Sequence, residues 1–190
     1  MKEINQEKKP KRAEKKNLLL GGLFLALLVV LFLNWWLRKN SRFGPQAQTS
    51  FYWQPEEIVA EAGKTVPVML MVDSGQNILA GIEIGLEFED KFLEIISILP
   101  GDFFTPATVA EQRIDNAEGK AFFTFLCSPQ KPRQGKGNLV LINFLVKEKG
   151  HKGETLVNFS AQTQAAAIGE EKNVVKSARP LKIKIEEKAE

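Results

Sequence analysis

The chain has one cysteine and one histidine in 190 residues, and outside a hydrophobic run near its start it has one tyrosine and one tryptophan. Each scarcity removes a class of function. With Cys127 alone no disulfide forms within the chain, and a Cys/His metal centre lacks ligands. Cys127 ends the apolar stretch KAFFTFLC, residues 120–127, where a lone thiol reads as a small buried hydrophobe. His151 sits in the polar stretch EKGHKGE, residues 148–154, as a solvated imidazole in a hairpin loop rather than a general base. No glycine-rich phosphate loop is present. Paired carboxylates occur at Glu56-Glu57, Glu89-Asp90 and Glu170-Glu171, at turns and element ends, where solvated charge is the ordinary reading. The chemistry an enzyme needs is missing, and no internal repeat is visible. A sugar-binding platform normally exposes a row of Trp or Tyr rings, whereas this domain offers only Tyr52 and Trp53.

Charge is uneven. Residues 1–50 carry ten Lys/Arg against three Asp/Glu, and residues 51–190 carry sixteen against twenty, so the basic balance belongs to the N-terminal arm. A mildly acidic domain is the wrong sign for a nucleic-acid groove. The arm has its own logic. A basic tail, residues 1–17, precedes twenty predominantly apolar residues, 18–37, which span about 30 Å as a helix and match a bilayer core. Trp35 and Trp36 fall where an interfacial aromatic belt belongs, and the excess of positive charge ahead of the run places the N-terminus in the cytoplasm. The competing reading is a cleaved signal peptide. Its apolar region is shorter, roughly 7–15 residues, and ends at a small-x-small site. Here the run is longer, Gln46-Ala47-Gln48 is a poor cleavage site, and no cysteine follows at once for a lipoprotein anchor. An uncleaved single-pass anchor in the cell membrane, with the domain outside, is the expectation. Residues 38–50 then read as a linker, 51–186 as the domain and 187–190 as a frayed tail.

From residue 51 the pattern is strand after strand. Ile82, Ile84, Leu86 and Phe88 alternate with Gly81, Glu83, Gly85 and Glu87, the period of a strand with one wet face. Similar runs at 57–60, 65–72, 92–96, 108–114, 120–127, 138–146, 155–160 and 180–185 bring the count to about nine, punctuated by Gly, Pro, Asn and Asp. The fold class expected is all-β, a sandwich of about nine strands with jelly-roll topology, behind one N-terminal transmembrane helix. Residues 161–167, AQTQAAA, stay open between a helical turn and a loop.

The order of these landmarks resembles the cohesin family. Residues 59–68, VAEAGKTVPV, are similar to its first turn, and the polar link Asp73 to Asn77 precedes the strand 78–88 as in that family. Residues 88–95, FEDKFLEI, resemble its aromatic-Asp-Pro-x-x-Leu-x-Val corner, with Phe88 for Tyr, Glu89 for Asp and Asp90 for Pro. Pro100-Gly101, the Gly-x-aromatic strand 119–127 and the Gly-x-Leu-x-x-Ile-x-Phe strand 137–144 complete the likeness, which covers nearly all of 53–186. It implies a non-catalytic module that captures a dockerin-like protein on one sheet face. Glu83 falls where many members carry Asp and Gly81 where they carry Asn. A structural calcium is compatible with the fold family, but the sequence singles out no site and no cofactor is expected.

The candidate partner-binding residues are therefore Gly81, Glu83 and Glu87 from one strand and Phe122, Thr124 and Leu126 from another. Phe122 and Leu126 would be apolar side chains on an outward face, the mark of an interaction surface. The blander alternatives are a solvated strand face for Glu83 and Glu87, and a loop such as 128–133 folded over Phe122 and Leu126. The expected function is a membrane-anchored surface module that holds a protein partner. The alternatives are a carbohydrate-binding module linked to polysaccharide degradation, and a structural or adhesion subunit.

Overall fold

A computed structural model describes residues 27–32, 47–105, 108–127, 130–148 and 153–186. Two compact units divide the chain at residues 43 and 44. In the first, residues 27–32 are helical with exposed side chains. The rest of the predicted anchor lies outside the described residues. Among the described residues no helix is long and apolar enough to cross a membrane. His151, Ser128, Pro129 and the tail 187–190 also lie outside them.

The second unit is a sandwich of twelve strands: β1 (Thr49–Gln54), β2 (Glu57–Glu61), β3 (Thr65–Asp73), β4 (Leu79–Phe88), β5 (Leu93–Pro100), β6 (Thr108–Asp115), β7 (Lys120–Leu126), β8 (Lys136–Val146), β9 (Gly153–Phe159), β10 (Gln164–Ala167), β11 (Val175–Ala178) and β12 (Leu181–Glu186). One sheet runs β11-β1-β3-β8-β5; the other runs β2-β12-β9-β4-β7-β6, with β10 also paired to β4. The all-β sandwich expected from alternation is present, and its count of about nine strands is corrected to twelve. The three additions are β1, β10 and β11. Strand β1 begins at Thr49, inside the stretch read as linker. The open segment 161–167 contains a true strand, β10, in register with β4.

Alternation builds the core directly. Ile82, Ile84 and Leu86 of β4 face Val68, Leu70, Val72, Ile142 and Phe144 of the opposite sheet, within one cluster of buried side chains. Phe51, Trp53, Phe88, Phe144 and Phe159 form its aromatic centre. Trp53 lies 5.8 Å from Phe159 and 6.2 Å from Phe144 between ring centroids, and such pairs add roughly 0.5–1.5 kcal/mol to area burial. Trp53 is 1% exposed, so one of the two rings the sequence offered for sugar stacking is spent on the interior. Cys127 lies just past the end of β7 and is half-buried rather than fully enclosed. Its Sγ donates to Leu79 O at 3.3 Å, and burial pushes the thiol pKa up.

The corner between β4 and β5 is pinned by the β6–β7 hairpin. Phe88 N donates to Gly119 O at 2.8 Å, and a Cβ on Gly119 would stand 2.0 Å from Phe88 O while φ is +64°. Asn116, from the same hairpin, exchanges two hydrogen bonds with the backbone of Ile95 in the other sheet. Glu89 completes the corner, pairing with Lys91 at 2.8 Å and accepting from the buried Thr155 hydroxyl at 3.0 Å. The Lys91 hydrogen bond, with that of Thr155, holds the Glu89 carboxyl below its ordinary 4.5.

Two outcomes follow from this corner. Gly119→Ala combines a left-handed φ with a backbone clash and lowers stability by roughly 2–4 kcal/mol in denaturant unfolding. Because the folded-state pKa of Glu89 is depressed, its stabilisation is complete above the ordinary carboxylate value and is lost as pH falls through the folded value. Melting temperature recorded from neutral to acid pH falls less steeply for Glu89→Gln than for the parent.

Candidate functional site

The six residues read from the sequence come together on the outward face of the larger sheet. Strands β4 and β7 are antiparallel with Gly81 opposite Leu126, Glu83 opposite Thr124, and Glu87 opposite Lys120. Directly opposed residues share a face, so Gly81, Glu83, Glu87, Phe122, Thr124 and Leu126 are co-facial. Strand β6 continues the rows with Glu111 beside Thr124 and Arg113 beside Phe122. On the other side of β4, β10 sets Gln164 against Glu83 and Ala166 against Gly81.

Their exposure differs. Leu126 is 44% exposed and leans over Gly81, where a Cβ would lie 2.9 Å from its Cδ2. The missing side chain at 81 is thus filled by its cross-strand neighbour. Phe122 is half-buried under the Arg113 guanidinium, 6.0 Å from the ring centroid, and Arg113 also pairs with Glu111. Thr124 is buried and Glu87 exposed. The Gln164 side-chain amide donates to Glu83 Oε2.

A loop crosses this face; of the one the sequence pointed to, residues 128 and 129 lie outside the described residues. Arg133 bridges to Leu79, whereas the covering segment is residues 160–163, between β9 and β10. Strand β9 pairs with Leu86, Glu87 and Phe88, and β10 with the other end of β4. Between them Thr163 substitutes for a ladder partner: its hydroxyl accepts from Gly85 N at 3.2 Å and donates to Gly85 O at 3.1 Å. Ser160 N also donates to Gly85 O at 2.9 Å. A Cβ on Gly85 would meet Ser160 Oγ at 2.1 Å, so the loop sits where that side chain would be.

The loop divides the face into two hollows. Gly81, Glu83, Thr124 and Leu126 line one of about 250 Å³, with Gln164 and the turn carrying Glu170, Glu171 and Lys172 opposite. Glu87 and Phe122 line the other, of about 500 Å³, with Arg113, Lys120, Ser160 and Gln162. The sequence reading missed the second wall of each hollow. The signals were present but short: Gln164 and Ala166 alternate with buried Ala165 and Ala167, and β6 is a polar edge strand. Glu170, read as solvated charge, has its Oε1 shielded from solvent with no hydrogen-bond partner among the described residues. Among the described residues no group of three or more His, Cys, Asp or Glu is placed to hold a metal ion. Gly85→Val tests the organisation of the face: the variant expels the 160–163 loop, raising amide exchange at Ser160 and Thr163 by at least about tenfold while the core amides of β8 stay protected.

Comparison with known proteins places this geometry. Two solved structures are cohesins of type I cohesin–dockerin complexes from Clostridium thermocellum. One aligns at 17% identity over 76% of this chain and 99% of its own, with a TM-score of 0.65. The other aligns at 12% identity over 73% and 99%, with a TM-score of 0.63. A non-cellulosomal cohesin from the archaeon Archaeoglobus fulgidus aligns at 14% identity over 74% and 92%, with a TM-score of 0.56. Among curated proteins no significant match is found. The likeness of these structures is one of fold, and the sequence itself supplies the membership: the cohesin domain model matches residues 52–185, almost the whole sandwich. This chain belongs to the cohesin domain family.

Proposed function

We propose that this chain is a membrane-anchored capture module, which holds a dockerin-like protein partner on the outward face of β4, β7, β6 and β10. The observation that carries the reading is the co-facial set of Gly81, Glu83, Glu87, Phe122, Thr124 and Leu126, framed by two hollows in a cohesin domain. Structural relatives in complex with dockerins support the partner class. The apolar run 18–37, with its basic flank, supports an anchor whose N-terminus is cytoplasmic and whose domain is extracellular.

The test uses the full chain in detergent against a panel of immobilised dockerin modules, with bovine albumin as control. At least one dockerin is expected to bind with a Kd of about 1 μM or tighter. Glu83→Lys combined with Phe122→Asp is expected to weaken binding by at least about a hundredfold, because it reverses a charge in one hollow and places one in the other. Circular dichroism checks that the double variant remains folded. Dockerin added to spheroplasts expressing the chain reads the side of the membrane. No binding across the panel, or equal binding by the folded double variant, overturns the proposal.

A further inference from the structure

We infer that two copies of this chain pair, about a two-fold axis, through the outward face of the other sheet, β11-β1-β3-β8-β5. That face carries an apolar stripe. The register sets Gln54, Met69, Leu141 and Leu99 in one row across four strands. Tyr52 and Met71 stand opposite each other one outward position to one side of the row, and Leu145 two positions to the other side. Leu99 is 49% exposed, and Ile96, which the register skips between Ile95 and Ser97, is 51% exposed. Tyr52, Met69, Met71, Leu141 and Leu145 are half-buried. Two of the chain's three methionines stand here, and flexible thioethers adapt well to an opposing surface. Asn143, the polar residue amid the stripe, donates to Ser97 Oγ at 2.8 Å, so this pair is already satisfied when water leaves.

Charge points to a second copy as the occupant. On the outward positions of β1, β3, β8 and β5 the charges lie at the ends: Asp73 and Lys136, paired at 3.0 Å, at one end, and Glu94, opposite Leu145, at the other. Strand β3 presents Thr65, Pro67, Met69, Met71 and Asp73 outward, so the Met69 row is the middle one. A two-fold axis along that row lays apolar middle on apolar middle and the Glu94 end of each copy on the Asp73–Lys136 end of the other. Each Glu94 then lies toward a cation and away from its own image. The β4–β7 face would not pair with itself in this way, because Glu83, Glu87 and Glu111 share it. Area sets the strength. Four strands about 4.8 Å apart, nine residues long at about 3.3 Å each, make a footprint of roughly 600 Å². A stable interface takes about 800 Å² per partner, so the dimer is a reversible one. Pairing here leaves β4 and β7 of both copies uncovered, and on the docking reading above the dimer is bivalent.

The test needs no dockerin, so its result is independent of the docking reading. Sedimentation equilibrium of the full chain in detergent is expected to show a monomer–dimer equilibrium with a Kd on the order of 10–100 μM. Leu141→Glu and Leu141→Lys are each expected to weaken pairing by at least about tenfold, since both set like charges against each other on the axis. Val59→Glu, exposed on the other sheet, leaves pairing unchanged. Mixing the two Leu141 variants restores the dimer, because opposite charges then meet, and restoration shows that both remain folded. A parent that stays monomeric up to about tenfold above that range, or Leu141 variants that both pair as well as the parent, overturns the proposal. A bimane label on Leu99→Cys, in a Cys127→Ser background, reads the competing occupant. Burial of that label in nanodiscs holding a single copy overturns the dimer in favour of a lipid surface.

Discussion

The hydroxyl of Thr163, which both accepts from and donates to the backbone of Gly85, lets one strand carry two different neighbours along the same edge. Without it, Gly85 N would lose its partner on the edge of β4 where β9 stops and β10 has not yet begun, and Gly85 O would keep only Ser160 N. With it, the chain leaves the sheet, arches outward over residues 160–163 and returns in register. Glycine at 85 makes room for the arch, and the arch sets the relief of the surface. The two hollows, and the turn that brings Glu170 to one of them, all lie downstream of that exchange.

The interior tolerates this excursion because it is built from the other side of β4. Ile82, Ile84 and Leu86 stay packed against β3 and β8, and the β6–β7 hairpin locks the end of β4 through Gly119 and the start of β5 through Asn116. A rigid sandwich with local irregularity on one face is a common division of labour: buried alternation holds the shape and loops supply the contact.

The long strands were legible in the sequence because buried and exposed residues alternate through them. The same rule placed all six candidate residues on one face, since opposed residues on β4 and β7 point the same way. Strand β10 was not legible. Its four residues are mostly alanine, which has weak preference for strands and marks a helix as readily. Strand β1 was missed: its first residues, Thr49 and Ser50, are polar, and they are held by Asn77 and Ser177 rather than by apolar packing. The covering loop escaped for a different reason. Its key contact joins positions 78 apart, and no local pattern reports that distance. Glu170 looked like any turn carboxylate, and only the fold brings it beside β4 and β7 at the smaller hollow.

Strand β1 also bears on how such a module transmits force. It is antiparallel to β3 from Ser50 to Gln54 and parallel to β11 on its other edge. A pull on the Thr49 end directed along the strand would load both ladders lengthwise, so their hydrogen bonds would resist together instead of opening one after another. Forced unfolding is governed by the barrier, not by equilibrium stability. A tether entering through β1 would therefore meet the domain at a place where tension is shared across two neighbours, in the sheet opposite β4 and β7.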